Sequence, residues 1–108
     1  MAISILEDKT NELFLSAATC WEILIKYKLG KLSIPLELAT DMETAAVNAG
    51  FSLLPITFAH AQRTGLLASF QNHKDPFDRL LIAQALVEGL ILLSNEEFFS
   101  QYGVQRSW

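Results

Sequence analysis

Short apolar runs alternate along the chain with longer segments in which apolar residues recur every three or four positions. The short runs predict strands at 12–17 (ELFLSA), 51–56 (FSLLPI) and 90–94 (LILLS), with a short final strand at 104–108 (VQRSW). Strands that alternate with helices are typical of α/β domains with a mostly parallel sheet. We therefore expect an α/β fold.

Helices are expected between these strands, because capping signals bound each periodic segment. The predicted helices run from Ser16 as N-cap to Gly30, from Pro35 to Gly50, over 58–70 after Thr57, from Asp75 to Glu88 with Gly89 as terminator, and over 95–103 after Ser94 or Asn95. Residues 71–74 are expected to form a polar loop, and Pro55 either ends the second strand or places it at an edge.

The composition indicates one globular domain over residues 1–108. Hydrophobic residues make up 51% of the chain and charged residues 19%, so a sizeable core can form. No apolar run approaches the length of about 20 residues that crosses a bilayer, so no membrane association is expected. A net charge of −4 argues against a protein that coats nucleic acid through bulk charge, but it leaves room for local contacts around a bound cation.

Few residues are available for thiol or zinc chemistry. Cys20 is the single cysteine, so an internal disulfide is excluded, and with His60 and His73 alone it does not make a zinc site. The beginning of the chain lacks the basic region and cleavage site of a signal peptide. We therefore expect a cytoplasmic protein. We expect Cys20 to be a buried thiol and His73 to be a solvated loop residue.

Aromatic residues are expected mainly in the core. Phe14, Trp21 and Phe77 lie at apolar positions of their elements, and Trp108 is placed to pack back on the sheet. A base-stacking platform is the less favoured interpretation.

Glu22 lies within an apolar helical stripe. Ala18, Ile25 and Leu29 occupy the positions i−4, i+3 and i+7, which points the Glu22 carboxylate toward the expected sheet. The alternative interpretation is an ordinary surface pair with Lys26 at i+4.

The segment HKDPFDRLLIAQALVEG (73–89) places two acids at the beginning of one helix. Asp75, Pro76 and Asp78 match the positions N-cap, N1 and N3, so capping is a sufficient role for Asp75. Asp78 also heads the face formed by apolar residues, and capping does not explain why an acid would point inward there. Those apolar residues are Leu81, Ile82, Ala85 and Leu86.

Glu96 and Glu97 follow the strand at 90–94 after Asn95. Ligands of parallel α/β sheets bind at the carboxyl ends of strands, although first-turn helix acids are also common. Carboxylates that crowd together repel unless a cation lies between them. Hard oxygen ligands of this kind suit Mg²⁺ or Mn²⁺, and such a site supports phosphodiester hydrolysis.

Several segments resemble PIN-domain (PilT N-terminus-like) proteins of the VapC toxin type. The similar stretches are LFLSAATCWEILIKYKLGKL, GFSLLPIT and HKDPFDRLLIAQALVEGLILLSNEEFFSQYGV, together with the closing tryptophan. The resemblance covers nearly the whole chain from about Asn11 onward. It implies a three-layer α/β/α domain and a ribonuclease that depends on Mg²⁺ or Mn²⁺. It further implies a VapB-type antitoxin as partner and a homodimer or higher oligomer.

Carried over by position, the resemblance implies that Glu22, Asp78 and Glu96 are the catalytic, metal-binding acids. Asp75 and Arg79 are assigned as accessory. Asp75 either assists or only caps its helix, and Arg79 either reaches substrate or covers apolar surface with its stem.

Two departures from the family pattern bear on activity. Glu96 stands where the family usually has aspartate, which keeps the charge on a longer arm. The chain also shows no match to the family's opening strand with its D-T-H-like aspartate, so it is expected to be truncated there. A start codon placed too late, a fragment and a decayed toxin gene all remain open. The alternative hypothesis is therefore a catalytically silent module that binds an antitoxin or itself.

Overall fold

The computed structural model describes residues 11–69, 75–94 and 96–108. The elements, in chain order, are β1 (Phe14–Ser16), α1 (Ala17–Lys28), α2 (Leu36–Thr40), α3 (Met42–Asn48), β2 (Ser52–Leu54), α4 (Phe58–Leu66), α5 (Pro76–Glu88), β3 (Leu92–Leu93), a 3₁₀ helix (Glu97–Tyr102) and β4 (Arg106–Ser107). The predicted α/β class is confirmed. The described residues fall into two compact units, 11–55 and 56–108. The single domain over 1–108 stays a prediction.

The first unit contains a parallel pair of strands joined by three helices. β1 pairs with β2 in a register that sets Phe14 beside Ser52 and Ser16 beside Leu54. Parallel strands need a long crossover connection, and α1, α2 and α3 supply it. Pro55 directly follows β2, so this proline marks the end of the strand, which was one of its two predicted roles.

α1 begins where the sequence predicts. The Ser16 hydroxyl accepts a hydrogen bond from the Ala18 backbone N–H at 3.0 Å, which satisfies a donor that the first helical turn leaves open. Two lysines lie in the last turn, where they complement the negative end of the helix dipole. Gly30 follows with φ of +74°, a conformation that glycine adopts without steric cost.

The single helix predicted from Pro35 to Gly50 is wrong. The chain forms two short helices there, α2 and α3, which are separated at Asp41. The Asp41 carboxylate accepts a hydrogen bond from the Thr44 backbone N–H at 3.1 Å and thereby caps α3. Hydrogen bonds from the Thr44 side chain and backbone lower the Asp41 pKa from its usual value. An aspartate that caps a new helix cannot also continue the preceding one.

The second unit contains α4, α5 and a second parallel strand pair. Leu92 of β3 lies beside Arg106 of β4, and Leu93 beside Ser107. The prediction of mostly parallel strands is thus confirmed in both units. The predicted helix at 95–103 is present as the 3₁₀ helix, which forms the crossover between β3 and β4.

α4 is shorter than predicted. The sequence predicts a helix over 58–70, whereas α4 ends at Leu66 and Leu67 is extended, with ψ of 149°. Gly65 lies in the last turn and weakens it. The Leu67 and Ala68 carbonyls, which follow the end of α4, accept hydrogen bonds from the Arg79 guanidinium. Thr57 caps α4 as predicted, through its side chain and the His60 backbone N–H.

The core of the second unit is formed by the inward face of α5 and its neighbours. Its buried members are Leu67, Ile82, Ala83, Ala85, Phe99 and Val104. Ile82 and Ala85 belong to the apolar face that the sequence predicts, and Ile82 is fully buried. Gly89 ends α5 in the left-handed conformation, with φ of +68°, as predicted.

The expectation of a mainly buried aromatic set is partly wrong. Trp21 is 57% exposed, Trp108 is 50% exposed and Phe14 is 38% exposed, whereas Phe77 is half-buried. A sheet of two short strands covers little surface, so aromatic side chains at its margin keep contact with solvent. Residues 71–74, with the predicted loop and His73, lie outside the described residues.

None of the helices in the described ranges is both long and apolar enough to cross a bilayer.

Candidate metal and phosphodiester site

The first turn of α5 carries two of the predicted acids. Asp75 is the N-cap, and its Oδ1 accepts hydrogen bonds from the backbone N–H groups of Phe77 at 2.9 Å and Asp78 at 3.2 Å. Its predicted capping role is therefore confirmed. Pro76 follows at N1, where its missing N–H costs no helical hydrogen bond. Asp78 is half-buried at N3, at the head of the apolar face.

Glu96 belongs to the same unit and follows β3. It is exposed and immediately precedes the 3₁₀ helix. Its backbone N–H donates to the Ser94 hydroxyl at 3.1 Å, which fixes the turn that leaves β3. The sequence predicts Ser94 or Asn95 as the N-cap of this helix. The structure has Glu96 at that position without a side-chain capping bond, and Asn95 lies outside the described residues.

From the chain geometry we expect Asp78 and Glu96 to lie toward the same end of the second unit. α5 and β3 are in contact and are joined by residues 89–91 alone, so the strand runs back along the helix. From Asp78 to the end of α5 the helix rises about 15 Å. From residue 90 to residue 94 an extended chain covers about 13 Å in the opposite direction. We call these two carboxylates, Asp78 and Glu96, the acidic edge.

Arg79, the predicted accessory residue, is held mainly by main-chain oxygens. Its guanidinium donates to the Ala68 carbonyl at 3.0 Å and to the Thr64 and Leu67 carbonyls at 3.4 Å and 3.5 Å. It also lies 5.9 Å from the centre of the Tyr102 ring, within range of a cation–π contact. Arg79 therefore links the end of α4, the beginning of α5 and the 3₁₀ helix.

Glu22 belongs to the first unit. Its carboxylate lies 3.5 Å from the Lys26 ammonium, and the side chains are 23% and 54% exposed respectively. The i, i+4 pair that the sequence offers as an alternative is therefore present. Such a surface pair contributes only about 0.3–0.5 kcal/mol to the free energy of unfolding.

The donor chemistry of the acidic edge fits a hard divalent cation. Mg²⁺ typically binds through one or two carboxylates, with waters and a substrate phosphate completing its shell. Within residues 11–69, 75–94 and 96–108, three or more histidine, cysteine, aspartate or glutamate side chains are nowhere gathered closely enough to hold a metal ion. The three-acid set of Glu22, Asp78 and Glu96 stays a prediction.

The sequence interpretation missed a buried polar network around His60. His60 is fully buried, and its Nδ1 accepts a hydrogen bond from the Thr57 backbone N–H at 3.0 Å. Its Nε2 therefore carries a hydrogen toward Glu88 Oε2, 2.8 Å away. The Gln84 amide lies 3.3 Å from Nδ1. The spacing of Thr57 and His60 resembles a capping box with histidine in place of glutamate, which is the signal that sequence alone offers.

A second feature that sequence reasoning missed is an apolar groove in the first unit. It has a volume of about 530 Å³ and is lined mainly by hydrophobic side chains from both strands, α1 and α3, among them Leu15, Trp21, Leu24, Met42 and Leu53. Cys20 also lines the groove and is half-buried, rather than fully buried as expected. The exposed Trp21 side chain is part of this groove, so it is one member of a larger apolar surface.

Comparison with known proteins identifies the family of the chain. The family model described as "PIN domain" matches residues 2–105. A relative, Ribonuclease VapC16 of Mycobacterium tuberculosis, is 40% identical over 57 residues. That match takes in 53% of this chain and 40% of the relative, so the chain spans less than half the length of the curated relative it matches. The predicted resemblance to PIN-domain proteins of the VapC type is confirmed.

Proposed function

The chain belongs to the PIN-domain family, and on that premise we propose that it is a VapC-type ribonuclease that hydrolyses RNA with Mg²⁺ or Mn²⁺. The observation that supports this proposal best is the acidic edge, in which Asp78 lies in the first turn of α5 and Glu96 follows β3. A relative that is named as a ribonuclease supports the same class of reaction.

We assign metal binding to Asp78 and Glu96, with Glu22 as a third carboxylate. The ion would acidify a water molecule and neutralise charge on the scissile phosphate. Asp78 is suited to this task because its position at N3 of α5 is fixed by the Asp75 cap and by the buried Ile82 face behind it. Glu96 has a longer and more exposed arm, so it suits the looser coordination of a ligand that also faces substrate.

The partners follow from the same assignment. We propose a VapB-type antitoxin as the inhibitor and a homodimer or higher oligomer as the working assembly, both as the family resemblance implies. Light scattering on the purified chain, with and without a co-expressed antitoxin, would give the two masses directly. A monomer at micromolar concentration would contradict this assembly.

Asp78→Asn provides the test of the site. The substitution keeps size and shape but removes the charge, so we expect Mn²⁺-supported RNA cleavage to fall at least about 100-fold. Glu37→Gln is the matched control, because Glu37 is an exposed carboxylate in α2 outside the proposed site. Cleavage that survives Asp78→Asn would contradict the site assignment.

The competing proposal is a catalytically silent PIN-fold module that binds an antitoxin or itself. The apolar groove of the first unit favours it, since exposed continuous apolar surface is typical of a binding site. Calorimetry separates the two proposals. A silent module would take up no Mn²⁺ and cleave no RNA, yet it would still self-associate or bind an antitoxin peptide.

A further inference from the structure

Arg79 has little hydrogen-bonding capacity left for a substrate. An arginine has five N–H donors. Nη1 of Arg79 donates to the Ala68 carbonyl at 3.0 Å and to the Tyr102 hydroxyl at 3.5 Å. Nη2 donates to the Thr64 and Leu67 carbonyls. Four donors are thus directed at protein oxygens, and the paired grip that arginine uses on phosphate needs two parallel donors on one side of the fork.

The acceptors of Arg79 lie where a positively charged side chain is favourable. Three of them are carbonyls at or just beyond the end of α4, where the helix dipole is negative, and the Thr64 carbonyl also accepts the Leu67 backbone N–H at 3.4 Å. Since Arg79 directly follows Asp78, its side chain anchors the first turn of α5 to this helix end. The Tyr102 contact anchors the same turn to the 3₁₀ helix.

Arg106 makes a corresponding contact from β4. Its Nη1 donates to the Ser94 carbonyl at 2.9 Å, and its Nε lies 3.5 Å from the Ser100 hydroxyl. These two acceptors flank Glu96 along the chain, one at the end of β3 and one within the 3₁₀ helix. Arg106 therefore closes the turn that carries Glu96.

We propose that Arg79 and Arg106 are positioning residues that hold the two carboxylates of the acidic edge in place, and that neither grips the RNA. Both arginines contact the 3₁₀ helix, Arg79 through Tyr102 and Arg106 through Ser100, so this helix is the common element that relates Asp78 to Glu96. The expected effect on catalysis rests on the proposed function. The expected effect on the order of the 3₁₀ helix does not depend on it.

The structural consequence is tested on the metal-free protein. Arg79→Lys keeps the charge and most of the stem but loses the fork, so we expect amide exchange in peptides covering 97–102 to accelerate about tenfold or more. Arg63→Lys is the matched control, since it makes the same change of side chain at an exposed position of α4. Exchange at 97–102 that is equal in both variants would overturn the proposal.

The catalytic consequence separates positioning from RNA contact. For a positioning role, Arg79→Lys and Arg106→Lys lower kcat and weaken Mn²⁺ binding about 10- to 100-fold, with KM for RNA unchanged. The salt dependence of RNA binding also stays the same. A phosphate contact would behave differently, because removing it lowers the log–log salt slope by about 0.7 for a single strand. An Arg79→Ala variant with that loss of slope would overturn the proposal.

Two controls keep the outcomes separable. If the far-UV circular dichroism spectrum shows that Arg79→Lys does not fold, Tyr102→Phe takes its place. Tyr102→Phe removes one hydroxyl acceptor of Arg79 and keeps the ring, so it is expected to raise the exchange rate at 97–102 by a smaller factor. A wild-type chain that neither binds Mn²⁺ nor cleaves RNA would contradict the proposed function. The exchange experiment would still decide whether the two arginines hold the 3₁₀ helix.

Discussion

The buried His60 side chain is expected to contribute about 3–4 kcal/mol to the free energy of unfolding. His60 is fully buried between α4 and α5, where it accepts the Thr57 backbone N–H and donates to Glu88. Replacing it with alanine removes both hydrogen bonds and the Nδ1 acceptor near Gln84. The substitution also leaves a void where the ring was.

The magnitude follows from these separate losses. A buried ring truncated to a methyl group costs about 2 kcal/mol or more through lost contacts and the cavity. Each lost hydrogen bond adds about 0.5–1.5 kcal/mol, and the Glu88 bond is placed at the low end because the Glu88 side chain is 40% exposed. The total is large against the roughly 5–15 kcal/mol that stabilises a domain.

Urea unfolding followed by far-UV circular dichroism measures the effect. With a slope of about 1.5 kcal/mol per molar urea, the expected loss lowers the midpoint of His60→Ala by about 2 M. Glu88→Gln is the matched control: it keeps an acceptor for Nε2 and should shift the midpoint by less than about 0.7 M. A His60→Ala midpoint within about 0.5 M of wild type, or a Glu88→Gln loss as large as that of His60→Ala, would refute this account of His60.

Three further predictions concern the helix ends. Asp75→Ala should lower the free energy of unfolding by about 1 kcal/mol, whereas Asp75→Asn should change it little because asparagine also caps; thermal melts of the two variants make the comparison. Gly89→Ala should cost about 1 kcal/mol by urea titration, since a Cβ there meets no atom within 4 Å and the cost comes from φ of +68° alone; a neutral result would contradict the left-handed helix end. The pKa of Asp41 is lowered in the folded state, so its contribution is present above the unfolded value of about 3.9 and is lost as pH falls through the folded value. Melts between pH 6 and pH 2 should therefore show a smaller loss for Asp41→Asn than for wild type, and equal losses would contradict the cap.

Local signals explain the part of the fold that the sequence predicts well. Ser16, Thr57 and Asp75 begin their helices through hydrogen bonds that span two or three residues, and Gly89 ends α5 through its own backbone conformation. Such interactions depend only on neighbours in the sequence. Asp41 is an exception. It caps α3 through the Thr44 backbone N–H, but the longer periodic pattern of 35–50 predicted one continuous helix there.

Features that depend on distant residues were not predictable in the same way. The partners of His60 and Arg79 lie up to 28 and 23 positions away, and no periodicity relates them. Trp21 looks like a core residue because its helix is apolar, yet burial depends on what covers the helix. For the site, the sequence identifies Asp78 and Glu96 at element ends and Glu22 within an apolar helical stripe, whereas their assignment as metal ligands rests on the family resemblance and stays a prediction.

The two parallel strand pairs differ in the length of chain that each must close. Phe14 and Ser52 are 38 positions apart, whereas Leu92 and Arg106 are 14 apart. For a flexible unfolded chain, the longer closure costs about 0.9 kcal/mol more in entropy. The C-terminal pair thus has the lower contact order, which favours faster formation. This pair brings together the two ends of the segment that contains Glu96. The part of the proposed site around Glu96 therefore forms by closing a short segment of chain.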